Sequence, residues 1–551
     1  MSTHPQQRGE KFFDDKDVEV VSVNVADSGA DIIDFEERRT SSQRHIQMIA
    51  LAGTIGTGLF LGSGRAIANG GPVGALMGYT FVGILVSCVV ISQAELAALV
   101  PLSGSIVRHA EYFFDPALSF AQVCQRKLLL VQVLIQYWTT ISNGLWITIL
   151  GLLLVACNLM FVRVYGELEF GFAMLKIMLI VGLIIMGLVI DLGGGPDHHR
   201  YGFQYWRNPV RSPLVPFLES IITLASLRVP SFNTSVSRAP SAGSLVSGPP
   251  SPTAAYAYGG VEGVANTAAE TQNPRRNIPL AAKRIFWRVL IFYVVAIFIV
   301  TLIVPSNDTS LLRHSGNASQ SPFVIAATNA GIAVVPHIIN GVVLTSAWSA
   351  GNSGLLNGSR NLYGMARERH APKIFLRVNR FGVPYVAVLF LSAFLCLAYM
   401  TLSDNASTVF SWFQDLSSSA ILVHWTIICT VYLRFYYGMK KQHISRDELP
   451  WKAPFQPYAA WIGLISFLII LLTGGYAVFI HGHWDTETFF SAYFNIPLIF
   501  MLYFGYKFLA KTKMVPLDEM PIQKYLDIAK ENPEPPAKPV KGWRRVNILW
   551  S

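Results

Sequence analysis

Charge is scarce in this chain of 551 residues: 14% of them are Asp, Glu, Lys or Arg, against 52% hydrophobic residues, and the mean hydropathy is +0.41. A soluble protein of this length divides into domains whose helices turn a polar face to water. Stretches such as GLIIMGLVID and LISFLIILLTGGYAVFI have no such face, which excludes a soluble globular fold and leaves a polytopic membrane protein. Cysteine is also sparse. Cys88, Cys124, Cys157, Cys396 and Cys429 are scattered without a CxxC or metal-ligand spacing, so no disulfide framework and no metal site follow. The chain has no P-loop, HExxH or GxSxG motif, and hence no catalytic constellation and no expected cofactor. A cleavable signal peptide is not expected either, because the first forty-odd residues are polar and charged. The formal charge of +10 does not indicate nucleic acid, since the basic residues flank apolar runs and form no patch interleaved with aromatics.

What the sequence does contain is a succession of apolar runs. Requiring about 20 residues per helical crossing, we place spans near 46–68, 73–97, 145–162, 171–192, 285–304, 322–356, 384–402, 407–435, 457–480 and 488–508. The stretches 118–138 and 214–268 are irregular. Short loops rich in lysine and arginine stay in the cytoplasm, and such loops carry Arg38, Arg39 and Arg44, then Arg275, Arg276 and Lys283, then Arg367, Arg369 and Lys373, then Lys440, Lys441 and Arg446. For all of them to lie on one side, each irregular stretch must cross once. The expectation is therefore an all-α protein of about 12 transmembrane helices with both termini cytoplasmic. Its transmembrane domain spans 46–510, between an N-terminal tail, 1–45, and a C-terminal tail, 511–551.

Two segments break the helical pattern. ALAGTIGTGLFLGSG in the first span holds Gly53, Gly56, Gly58, Gly62 and Gly64, and each glycine costs a helix interior roughly 1 kcal/mol relative to alanine. Small residues four apart also serve close helix packing, but the run Gly56-Thr57-Gly58 better suits unwinding, which frees backbone N–H groups to hold an anion. The second break is Tyr258-Gly259-Gly260-Val261-Glu262-Gly263. Two interrupted helices in corresponding halves of a chain point to a midplane binding site. A carboxylate at that depth, Glu262, needs a partner, a proton or a function; a structural brace is the competing reading.

The runs RHIQMIALAGTIGTGLFLGSGRAIANGGPVGAL, VYGELEF, DLGGGPDHHRYGFQYWRNP, GGVEGVANTAAETQNPRRNIPLAAKR and GSRNLYGMARERHAPKIF resemble fungal amino-acid permeases, the yeast amino-acid transporter group of the amino acid–polyamine–organocation superfamily. The resemblance covers roughly residues 40–510. It implies a five-plus-five inverted repeat with discontinuous helices 1 and 6, two further helices, and proton-coupled amino-acid uptake across the plasma membrane, with the amino acid, the proton and the lipid bilayer as partners. Carried over by motif, Thr54, Gly56, Thr57 and Gly58 hold the substrate carboxylate, and Tyr258 and Gly260 line the ammonium side. Tyr256 is a gating aromatic or an interfacial tyrosine. Asn352 and Ser353 face the site or join helices to one another. Lys176 on the fifth helix snorkels to the cytoplasmic face or reports the proton-bound state. With Glu262 and Lys176, Glu95 completes the proton-coupling candidates, though near the end of the second span it suits a cytoplasmic brace better.

The chain departs from that family twice. After DPALSFAQ the third helix reads VCQRKLLLVQVLIQYW and is truncated: Leu128 to Trp138 make about 16 Å of helix against a hydrocarbon core of about 30 Å. In the sixth helix a proline- and serine-rich insert, 229–255, interrupts the run from PFLESIITLAS to the glycine break. Irregular backbone is not tolerated against lipid, so the insert is a loop reaching water or the mark of a mis-assembled coding sequence. The leading reading is an amino-acid:proton symporter of neutral or broad range. Its rivals are a non-transporting amino-acid sensor and an inactive product held in the endoplasmic reticulum.

Overall fold

The computed structural model describes residues 58–534 apart from 102–104, 128–142, 160–161, 197, 208–250, 264–272, 312–320, 368–370, 380–381, 403–405 and 480–483. The described chain opens on a π-helical turn, Gly58–Gly62, that runs into α1, Ser63–Leu99. α1 is two helices joined at Gly71, whose φ of 67° costs little only without a Cβ; Pro72 then restarts the helix with its preset φ. Here the first expected span ends and the second begins.

A short helix α2, Ser105–Phe113, leads to α3, Pro116–Lys127. The rest of the third expected span, read from sequence as truncated, lies outside the described residues. α4, Asn143–Leu159, and α5, Val162–Asp191, follow. α6, Ser251–Ala257, begins inside the stretch read as an insert and buries Ala254 and Ala255 completely. The last residues of 229–255 thus belong to the helix leading into the second glycine break, and 229–250 lie outside the described residues. α7, Pro274–Ile303, comes next.

One expectation is corrected at this point. The single span 322–356 is two helices, α8, Pro322–Asn329, and α9, Val334–Arg367. They part at Gly331, which takes φ 74°, a left-handed conformation that ends α8 as a glycine readily does. α10, Tyr385–Ser392, α11, Ala406–Lys441, and α12, Tyr458–Thr473, complete the middle of the chain. α13, Thr486–Tyr493, and α14, Asn495–Ala510, form a pair bent by 49°. A last helix, α15, spans Ile522–Glu531.

Among the described residues four helices are long and apolar enough to cross a membrane, or five if the bent pair is one span, with three shorter apolar helices beside them. α5 shows how they are turned. Its exposed residues are apolar, with Met178 67% and Ile185 58% exposed, while Glu169 and Lys176 on the same helix are 0% and 1% exposed. Apolar outside and ionisable inside is the arrangement hydrocarbon selects.

α2 carries His109, buried, with Nε2 on the Val100 carbonyl at 3.0 Å. Burial, with Arg108 alongside, depresses its pKa to about 4 against the opposing Val100 bond. The fold therefore keeps this imidazole neutral where the unfolded chain takes up a proton. Stability contributed by the neutral form is present above pH 6.5 and falls as pH drops from 6.5 toward 4, by on the order of 3 kcal/mol. The melting temperature of the purified protein should decline through this window, and less steeply in His109→Gln.

Candidate functional site

The two glycine breaks meet. A Cβ on Gly58 would stand 2.5 Å from Cα and 2.9 Å from N of Ala257, and 3.1 Å from Cδ1 of Tyr256. The π turn and the end of α6 are thus packed backbone on backbone, a proximity only glycine allows. Beyond Ala257 the chain turns through Tyr258–Glu262, and Gly260 takes φ 96°, a conformation disfavoured for residues with a Cβ.

The unwound carbonyls are partly engaged by neighbouring helices. Tyr293 of α7 donates to the Ala257 carbonyl at 3.1 Å, and Gln93 of α1 to that of Glu262 at 3.3 Å. Tyr258 is fully buried. Its hydroxyl donates to the Tyr79 carbonyl at 2.9 Å, and its ring lies 4.4 Å from Tyr293, so this side chain holds the broken segment to α1 and α7. Glu262 is buried and accepts from Trp425 Nε1 of α11 at 3.2 Å. Tyr256 is half-buried at the crossing itself. Thr54, Gly56 and Thr57 lie outside the described residues.

Asn352, Ser353 and Lys176 belong to a second cluster, between α4, α5 and α9. Ser346, Ser349, Asn352 and Ser353 are buried and share one face of α9 by their spacing of three and four. Lys176 does not snorkel: its Nζ donates to Ser349 Oγ at 3.0 Å. Ser349 donates in turn to Glu169 Oε1 at 2.7 Å, which also accepts from Ser353 at 3.1 Å. Asn158 of α4 donates to Asn352 Oδ1. Three atoms of this cluster, Glu169 Oε2, Asn158 Oδ1 and Asn352 Nδ2, are buried with no hydrogen-bond partner among the described residues. Glu169 is absent from the residues expected from sequence. The available signal was its spacing in VYGELEF, seven positions before Lys176, two helical turns along the same face.

Glu95 stands in a third place, near the end of α1. Its carboxylate accepts from Arg446 Nη2 at 2.8 Å and from the Ala453 N–H at 2.7 Å, with no side-chain exposure against 25% for Arg446. This is the geometry of a brace between α1 and the loop after α11. Glu95→Ala leaves the guanidinium without its partner, so the melting temperature should fall by the equivalent of about 3 kcal/mol.

A helical bundle that turns lipid-compatible side chains outward, keeps ion pairs inside and packs the π turn of its first helix against the broken end of α6 is built as a membrane transporter. The comparisons agree. Residues 45–518 match the amino acid permease family. The dicarboxylic amino acid permease of Saccharomyces cerevisiae is 35% identical over 512 residues, 89% of this chain and 80% of the relative. The proline-specific permease of the same yeast is 37% identical over 489 residues, 85% and 75% of the two chains. In fold, the chain is similar to the manganese transporter of Eremococcus coleocola, crystallised as a point variant, with a TM-score of 0.51 at 12% identity, covering 92% of this chain and 98% of that one. The chain belongs to the amino acid permease family. It is a multi-pass membrane transporter rather than an enzyme, and amino-acid transport is the activity that membership and fold support.

Proposed function

We propose that the protein couples uptake of an amino acid to entry of a proton across the plasma membrane by alternating access. The observation that carries the reading is the backbone contact of Gly58 with Ala257, which joins the two broken helices at one point. The amino acid sits at this crossing. Its carboxylate meets the N–H groups of the first break, from Thr54 to Gly58, and its ammonium meets carbonyls of the second, beside Tyr256 and Gly260. The bundle of the first, second, sixth and seventh crossings rocks against the rest around it.

The coupling proton resides on the Glu169–Ser349–Lys176 chain. The two hydrogen bonds let one proton pass from the ammonium through the hydroxyl to the carboxylate, converting an ion pair into a neutral amine and acid. An added proton leaves lysine and glutamate both protonated, with a net charge of +1. Glu262, held by Trp425 and Gln93, shapes the broken segment. Arg65, on the outer side of the first break, pairs with Asp415 of α11 at 3.2 Å, so this cation is already compensated and is not held free for an acidic side chain. That favours a neutral or broad range.

The test is uptake of labelled L-proline, L-glutamate and L-lysine by the purified protein in liposomes under an imposed pH gradient. Accumulation of at least one, greater with the outer solution acid and collapsed by a protonophore, is expected. Accumulation indifferent to the gradient removes the proton from the mechanism; binding without accumulation makes the protein a sensor.

A further inference from the structure

The stretch from 511 onward, read from sequence as a tail, packs back onto the protein as far as residue 534. Val515 donates to the Phe114 carbonyl beyond α2 at 2.9 Å, and Arg434 of α11 donates to the Val515 carbonyl. The amide of Gln442, just past α11, lies within 3.2 Å of the carbonyls of Leu517, Asp518 and Met520. α15 then buries Ile522, Tyr525 and Leu526, a set spaced by three and four as one face of an amphipathic helix requires. Its Tyr525 ring meets Tyr112 of α2 at 6.1 Å. Lys530 reaches Glu448, in the loop after α11, at 2.9 Å.

The other edge of this strap holds α7. Glu534 accepts through Oε1 from the N–H of Arg275 at 2.8 Å and through Oε2 from that of Arg276 at 3.2 Å. It thereby caps the Arg275 N–H at the positive end of the helix and shares that of Arg276 with the Asn273 carbonyl. Arg275 Nη1 returns the contact, donating to the carbonyls of Ala529 at 3.1 Å and Asn532 at 2.5 Å. Prolines stiffen both partners: Pro274 opens α7, and Pro533 precedes Glu534.

We infer that residues 515–534 form a latch across the end of the bundle where α7 begins and α11 ends, the cytoplasmic end by the charge rule, and that the latch restrains opening toward that side. The inference rests on the rocking motion proposed above. In that motion α7 belongs to the moving bundle, whereas α2 and α11 belong to the rest. One strap fastened to both must release one set of contacts before the two separate. On α7 the Glu534 set is the one placed to release, because it joins a single carboxylate and a single guanidinium to backbone groups, whereas α15 also packs on α1. The opposite edge rests on buried Ile522, Tyr525 and Leu526 as well as on hydrogen bonds.

Spin labels at Lys283→Cys on α7 and Lys441→Cys on α11, both exposed positions, read the separation of the two bodies in the full chain with its native cysteines replaced. Glu534→Ala should raise the population at longer distance at least threefold and speed exchange of the Arg275 amide, which Glu534 accepts from, about tenfold. Glu534→Gln, which retains one acceptor oxygen, should lie between the two and serves in its place if Glu534→Ala misfolds. An unchanged distance distribution, with the strap released by the exchange criterion, overturns the latch and leaves the segment a packing element. The distance readout needs no transport. A wider distribution in a protein that moves none of the three labelled amino acids therefore upholds the latch while the transport reading fails.

Discussion

Gly58→Ala should lower amino-acid uptake about 100-fold at equal membrane abundance, whereas Gly263→Ala, five residues beyond Tyr258, should leave it within about twofold. The two substitutions add the same methyl group. At Gly58 it would stand 2.5 Å from a backbone carbon of Ala257, and at Gly263 it meets nothing within 4 Å. Side chains can yield to an inserted methyl by changing rotamer, but backbone cannot, so overpacking here lies at the upper end of the usual 1–3 kcal/mol. If that cost falls on the occupied site, a loss near 2.7 kcal/mol is about 100-fold in rate. Gly260→Ala provides an intermediate case, with strain from φ 96° in place of collision, costing about 1–2 kcal/mol or roughly tenfold. Initial rates of uptake normalised to surface-labelled protein give the order. Equal rates for Gly58→Ala and Gly263→Ala would separate the crossing from the transport site.

The second glycine break was legible because glycine acts locally: Gly260 reveals itself by propensity alone, and its positive φ adds only the reason. The contact of Gly58 with Ala257 was not legible, since it depends on how two distant segments cross. The same holds for Lys176. A lysine about 9 Å into a helix invites snorkelling when the helix is considered alone, and the partner that keeps it inside, Ser349, is 173 positions away. Glu169 was within reach, because its register with Lys176 is a property of one helix. The split of the span 322–356 was within reach too. Gly331, with Pro336 five residues on, interrupts an apolar stretch too long for one crossing, and hydropathy averaged over a window smooths such a break away. The C-terminal strap carries an i, i+3, i+4 set in Ile522, Tyr525 and Leu526, but an amphipathic pattern does not name the surface it will cover. Truncation of the third span remains a reading of sequence, because 128–142 lie outside the described residues.

Lys176→Met should abolish pH-driven accumulation and destabilise the protein, and a second substitution should restore only the stability. Removing the ammonium leaves the Glu169 carboxylate buried with two serine hydroxyls as its donors and Oε2 without a partner. Breaking a buried pair in this way costs about 3–5 kcal/mol, unless Glu169 takes up a proton, and either outcome ends the exchange of one proton between the two groups. In Lys176→Met with Glu169→Gln no charge remains to be compensated, so the melting temperature should return most of the way to that of the unaltered protein. Accumulation driven by an inward proton gradient should stay absent, while binding of the amino acid at the glycine crossing persists. Ser349→Ala tests the bridge itself. It removes the hydroxyl that receives from Lys176 and donates to Glu169, at a cost of about 1 kcal/mol per hydrogen bond, and should weaken pH dependence more than stability. A purely structural cluster predicts the reverse for the double variant: once stability is restored, gradient-driven accumulation returns with it. Melting temperature and accumulation ratio measured on the same preparations separate the two, because coupling requires a group that changes charge and packing does not.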